Sequence, residues 1–152
     1  MPATATQSIH GSYLMPSVRH ATVADAMHPG IVYCEPDTGL TEVARLMSTH
    51  HVHCIAVIGI SHDEDSECMV WGLISDLDLM RAGIHLGPDR SARALALEPV
   101  ITVRSTMPLI EAGEAMLENR VSHIVVIDPD TRRPMGVLST LDIIGVLAWG
   151  EA

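Results

Sequence analysis

The residues best placed to do chemistry come in two matched sets. Ser75 and Asp78 lie in the stretch Gly72-Leu73-Ile74-Ser75-Asp76-Leu77-Asp78-Leu79-Met80. Ser139 and Asp142 lie in Gly136-Val137-Leu138-Ser139-Thr140-Leu141-Asp142-Ile143-Ile144. Both stretches read glycine, two apolar residues, serine, two spacers, aspartate, two apolar residues. The apolar pair suits a short buried strand, the serine suits a helix N-cap, and an apolar helical run follows. Each stretch is therefore a strand-to-helix turn with a carboxylate in the first helical turn, where backbone N–H groups are free. A fixed carboxylate there matches a cis-diol, each charge-assisted hydrogen bond contributing about 1.5–3 kcal/mol. The same residues also suit plain capping, in which the aspartate stabilises its helix by about 0.3–1 kcal/mol.

Other clusters offer less. His50-His51-Val52-His53-Cys54 has zinc-type ligands, with His62 and Cys68 as further donors. They straddle a helix end and a strand start, so their side chains diverge and no metal site is expected. Asp63-Glu64-Asp65 and Glu67 lack the glycine and the closing glutamate of a calcium loop, and read as a solvated hairpin tip. The nine methionines fall mostly at core positions. There is no Gly-x-Ser-x-Gly, no P-loop and no lysine, so no enzymatic activity is expected.

The elements that position the two turns are themselves duplicated. With an offset of 69, residues 23–59 align on residues 92–128 without a gap. Leu40, Glu42, Met47, Val52, Ile55, Val57 and Ile58 recur as Leu109, Glu111, Met116, Val121, Ile124, Val126 and Ile127. The offset then falls to 64, because the first copy carries five extra residues near 61–68. A period in the sixties with one indel in a polar loop marks a duplicated structural unit. In the first copy a helical turn is predicted at 23–27, a strand at 31–34, a helix over Leu40–His50, strands at 52–60 and 69–74, and a helix at 77–82 that stops near Gly83. The second copy gives 92–96, 100–103, Leu109–Asn119, 121–127, 134–138 and 141–149. The fold class is α+β: two pseudo-symmetric β-α-β-β-α repeats, residues 19–87 and 88–152, packed as a pair behind a flexible tail at 1–18.

Composition narrows the partners. The net charge is −10 and all nine basic residues are arginine, with no basic run. That argues against nucleic acid and against anionic membranes. No apolar stretch approaches 18 residues, so no membrane span is expected, and the first residues do not resemble a secretory leader. Three cysteines without CxxC spacing suit a reduced, cytoplasmic setting.

The paired Gly-x-x-Ser-x-x-Asp turns, with the strands Ile55-Ala56-Val57-Ile58 and Ile124-Val125-Val126-Ile127 each following an amphipathic helix, resemble the CBS domain in its tandem pair, or Bateman module. The resemblance covers about residues 20–149. It implies a regulatory sensor with an adenosyl ligand, AMP, ADP, ATP or S-adenosylmethionine, in the cleft between repeats, and no required cofactor. It implies that the aspartate receives the ribose hydroxyls and the serine contacts ribose or phosphate. One site would use Ser75, Asp78, Ile101 and His123, and its pseudo-symmetric mate Ser139, Asp142, Val32 and His53. It further implies a homodimer through helix faces and an unidentified regulated protein; a ligand-free dimerisation or interaction module is the alternative. The sequence departs from the family in lacking a basic residue between serine and aspartate, where Asp76-Leu77 and Thr140-Leu141 stand. Asp76 should repel a phosphate, so a phosphorylated nucleotide is expected to prefer the Asp142 cleft.

Overall fold

In the computed structural model the described residues are 14–60, 68–85, 90–96 and 101–151. The acidic stretch 61–67 and the beginning of the expected tail lie outside them. The first repeat contributes α1 (Val23–Ala26), β1 (His28–Pro29), β2 (Tyr33–Cys34), α2 (Leu40–His50), β3 (Cys54–Ile60), β4 (Cys68–Ser75) and α3 (Asp76–His85). The second contributes α4 (Ala92–Leu95), β5 (Thr102–Arg104), α5 (Leu109–Asn119), β6 (His123–Ile127), β7 (Pro134–Ser139) and α6 (Thr140–Trp149).

Two mixed sheets result, in the orders β2-β3-β4 and β1-β7-β6-β5. In each, the short strand before the amphipathic helix runs parallel to the buried strand, and the hairpin after it is antiparallel. The duplication holds in fine detail. The register slips between Val57 and Ile58 in one hairpin and between Val126 and Ile127 in the other, the same place at an offset of 69. Helix α2 buries Leu40, Val43 and Met47; α5 buries Leu109, Ala112 and Met116 at the matching positions. Fully burying a Leu, Val or Met side chain stabilises by about 1.5–3 kcal/mol, which fixes the face each helix turns inward.

The lead-in segments are exchanged between repeats. Ala21 and Val23 belong to the core built by α5, α6, β6 and β7, whereas Ala92 and Leu95 belong to the core of α2, α3 and β3. Backbone bonds are reciprocal: Val23 N–H donates to the Met107 carbonyl at 2.9 Å and Ala92 N–H to the Thr38 carbonyl at 2.7 Å. Each turn glycine stands where an exchanged segment crosses. A Cβ on Gly72 would lie 2.9 Å from the Ala96 Cβ, and one on Gly136 would run into the His28 carbonyl oxygen. A third apolar cluster, Ala56, Ile58 and Val125 with Ile31, Leu73 and Ile127, joins the two sheets.

Three details depart from the expected elements. Helix α3 runs through Gly83 to His85. An interior glycine costs about 0.5–1 kcal/mol, which the helix tolerates without ending there. Strand β1 was not anticipated: it forms only because the exchanged segment reaches β7, pairing His28 with Val137. Residues 14–18 of the expected tail include contacts to the far end of the chain, with Ser17 N–H on the Glu151 carbonyl at 2.7 Å and Glu151 N–H on that of Met15 at 2.8 Å.

Candidate functional site

Both turns form as the serine and aspartate spacing requires. Ser139 caps α6: its hydroxyl accepts the Asp142 N–H at 3.2 Å, and its own N–H donates to Asp142 Oδ2 at 2.8 Å. Ser75 does the same for α3, accepting the Asp78 N–H at 3.1 Å. Its N–H donates to Asp78 Oδ2 at 3.3 Å and its hydroxyl to the same oxygen at 2.8 Å. The reciprocal bonds hold each carboxylate in one orientation at a helix N-terminus, where the dipole favours negative charge.

The second oxygens differ. Oδ1 of Asp78 accepts no hydrogen bond among the described residues. Oδ1 of Asp142 meets His28 Nδ1 at 2.7 Å, and the Asp142 side chain is only 6% exposed while that of His28 is 78% exposed. His28 escaped the sequence reading. It falls between the helical turn predicted at 23–27 and Pro29-Gly30, and nothing in its spacing announces a partner on the other repeat.

Asp76 is not the bare charge that the sequence suggested. His53 Nδ1 lies 3.1 Å from Asp76 Oδ2. The Asp76 carboxyl is held below the usual aspartate range, first by that hydrogen bond; burial opposes it as the next effect, and the Leu77 N–H and the charges of His53 and His123 add to the lowering. The lowered pKa keeps Asp76 an anion, now with an imidazole partner from just before β3. His53 therefore sits beside the first turn, in its own repeat.

His123 opens β6 opposite Ser139. Its pKa is lowered, chiefly by burial, with Asp76 and Asp142 raising it and His53 lowering it. His123 thus couples electrostatically to both repeats. The two histidines are not register equivalents, because Cys54, not His53, stands opposite Ser75 as His123 stands opposite Ser139. Cys54 is buried and its thiol is pushed up to about 11, by burial and then by Asp76. Val32 lies where the chain crosses from the pair Pro29–Gly136 to the pair Tyr33–Ala56, and packs against the first core. Ile101 packs against the second. The residues 97–100 that lead into it lie outside the described residues.

Of the histidines considered as zinc ligands, His50 ends α2 and His51 adopts the left-handed conformation at φ 52°. Among the described residues no group of three histidine, cysteine, aspartate or glutamate side chains could hold a metal ion. No helix among them is long and apolar enough to cross a membrane.

Two exchanged β-α-β-β-α units, each carrying a Ser-x-x-Asp turn, define a paired module. The CBS domain family matches residues 23–85 and 92–148, and the chain belongs to that family as a tandem pair. A relative, the uncharacterized protein MK0525 of Methanopyrus kandleri, is 25% identical over 132 residues, covering 85% of this chain; the chain spans 64% of that relative's length. The CBS domain pair of protein MJ0100, solved with 5-methylthioadenosine and S-adenosyl-L-methionine, superposes with a TM-score of 0.71 at 20% identity, covering 84% of this chain and 96% of that one. CBSX2, solved with AMP, gives a TM-score of 0.65 at 22% identity, covering 84% and 96%.

Proposed function

We propose that this chain is a regulatory module that binds an adenosyl ligand (AMP, ADP, ATP or S-adenosylmethionine) between its repeats and passes that state to a partner protein. The observation that carries the reading is the Asp78 carboxylate: fixed by Ser75 through Oδ2, at a helix start, with Oδ1 unengaged among the described residues. A ribose cis-diol is the complement of such a group. We assign Ile101 and His123 to the base and phosphate side of that site, and Ser139, Asp142 and Val32 to its mate; His53, first grouped with the mate, stands 3.1 Å from Asp76 and is assigned to the Asp78 turn. Structural neighbours solved with AMP and with S-adenosyl-L-methionine support the ligand class.

Isothermal titration of the full chain with each of the four ligands tests this. At least one should bind, and Asp78→Ala should weaken it about tenfold or more through loss of a charged hydrogen bond. Unchanged binding in Asp78→Ala, in Asp142→Ala and in the double variant would remove the ribose assignment.

A second reading, self-association, rests on its own observation. Leu77, Met80 and Ile84 of α3 and Leu141, Ile144 and Leu147 of α6 are exposed, at helical spacing. Such stripes suit a homodimer interface, and the two readings are compatible.

A further inference from the structure

We propose that His28 is a specificity-determining gate on the second turn: its imidazole occupies the Asp142 oxygen that a ribose would need, so a ligand reaches Asp142 only by displacing it. This deepens, and rests on, the ribose reading of the aspartate turns. Asp142 has both carboxylate oxygens engaged, Oδ2 by the Ser139 N–H at 2.8 Å and Oδ1 by His28 Nδ1 at 2.7 Å. At 6% exposure the carboxylate cannot be approached while the imidazole stays. Asp78 carries the same Ser–Asp bonds and no counterpart of His28 among the described residues.

The gate is built to open cheaply. His28 is 78% exposed, and its one side-chain partner among the described residues is Asp142. Its backbone is fixed independently, by antiparallel pairing with Val137. A change of χ1 therefore uncovers Oδ1 without moving a strand, at the cost of one charge-assisted hydrogen bond. The two clefts should then fill in order, Asp78 before Asp142. A ligand earns the second cleft only if its other contacts outweigh the imidazole.

The test is calorimetric titration of the full chain with AMP. An Asp78→Asn background isolates the second turn. There His28→Ala should tighten AMP about tenfold, the worth of one charge-assisted hydrogen bond. Adding Asp142→Asn should abolish that gain. His28→Asn, whose amide nitrogen is the same number of bonds from Cβ as Nδ1, should return affinity toward that of the unmodified His28. AMP binding to the parent through Asp78, with His28→Ala making no difference at the second turn, would overturn the gate and leave the adenosyl reading standing. AMP binding to neither the parent nor His28→Ala would overturn both.

Discussion

Asp78 and Asp142 occupy the same position of the same motif, yet their Oδ1 atoms face different company. Spacing made the carboxylates and their serine caps legible, because capping is a local, three-residue interaction. It could not reveal His28 on Asp142 or His53 on Asp76, since both contacts join segments far apart in the chain. The expected preference of a nucleotide for the Asp142 cleft followed from charges counted along one turn, and took no account of the histidines that the fold sets against Asp142 and Asp76. His123 gives a pH prediction at this scale. Its folded pKa is depressed from the ordinary 6.5, first by burial. The unfolded chain then binds its proton more readily, so this contribution to stability is present above about pH 6.5 and is lost as pH falls through the lower folded value. Asp76 and Asp128, with pKa values below the usual 3.8, act in a separate and more acidic window. Urea unfolding at pH 7.5 and 5.5 should show lower stability at the acid value, with a smaller difference in His123→Gln. An equal difference in both proteins would exclude His123 as the source.

At the scale of elements the duplication was readable because apolar periodicity survives where loop sequences drift, and α2 and α5 keep their expected bounds. Strand edges were less readable. Val52 and Val121 look like strand residues, but each follows a left-handed residue that ends the preceding helix, His51 at φ 52° and Arg120 at φ 53°. The strands therefore begin later, at Cys54 and His123. The left-handed region costs a non-glycine residue roughly 1–2 kcal/mol, partly offset on replacement by the greater unfolded-state freedom of glycine. Arg120 is exposed, so Arg120→Gly should stabilise by about 0.5–1 kcal/mol and raise Tm by about 2–4 °C, as measured by calorimetry. A lower Tm would mean that the arginine side chain contributes more than its backbone costs. Gly136→Ala tests the exchanged segment: the added Cβ runs into the His28 carbonyl, so β1 must shift and Tm should fall by several degrees. An unchanged Tm would contradict that close approach.

Over the whole molecule, each repeat completes its core with the other's lead-in helix, so neither should fold alone. That exchange was invisible in the sequence, because a four-residue helix carries no mark of which core receives it. The apolar character of α3 and α6 was visible, and their exposed stripes are the surfaces expected to pair between chains. Light scattering should give twice the 16.4 kDa chain mass, and Leu141→Glu with Ile144→Glu should return it to the monomer. A monomer at all concentrations in the parent would remove the dimer. The central claim is that the aspartate turns hold a ribose, and a crystal structure of the full chain grown with saturating AMP tests it most directly. The account predicts the ribose hydroxyls within hydrogen-bond distance of the Asp78 carboxylate, with Asp142 either still covered by His28 or engaged only where His28 has swung away. AMP bound elsewhere, with neither aspartate touching the ribose, would contradict it.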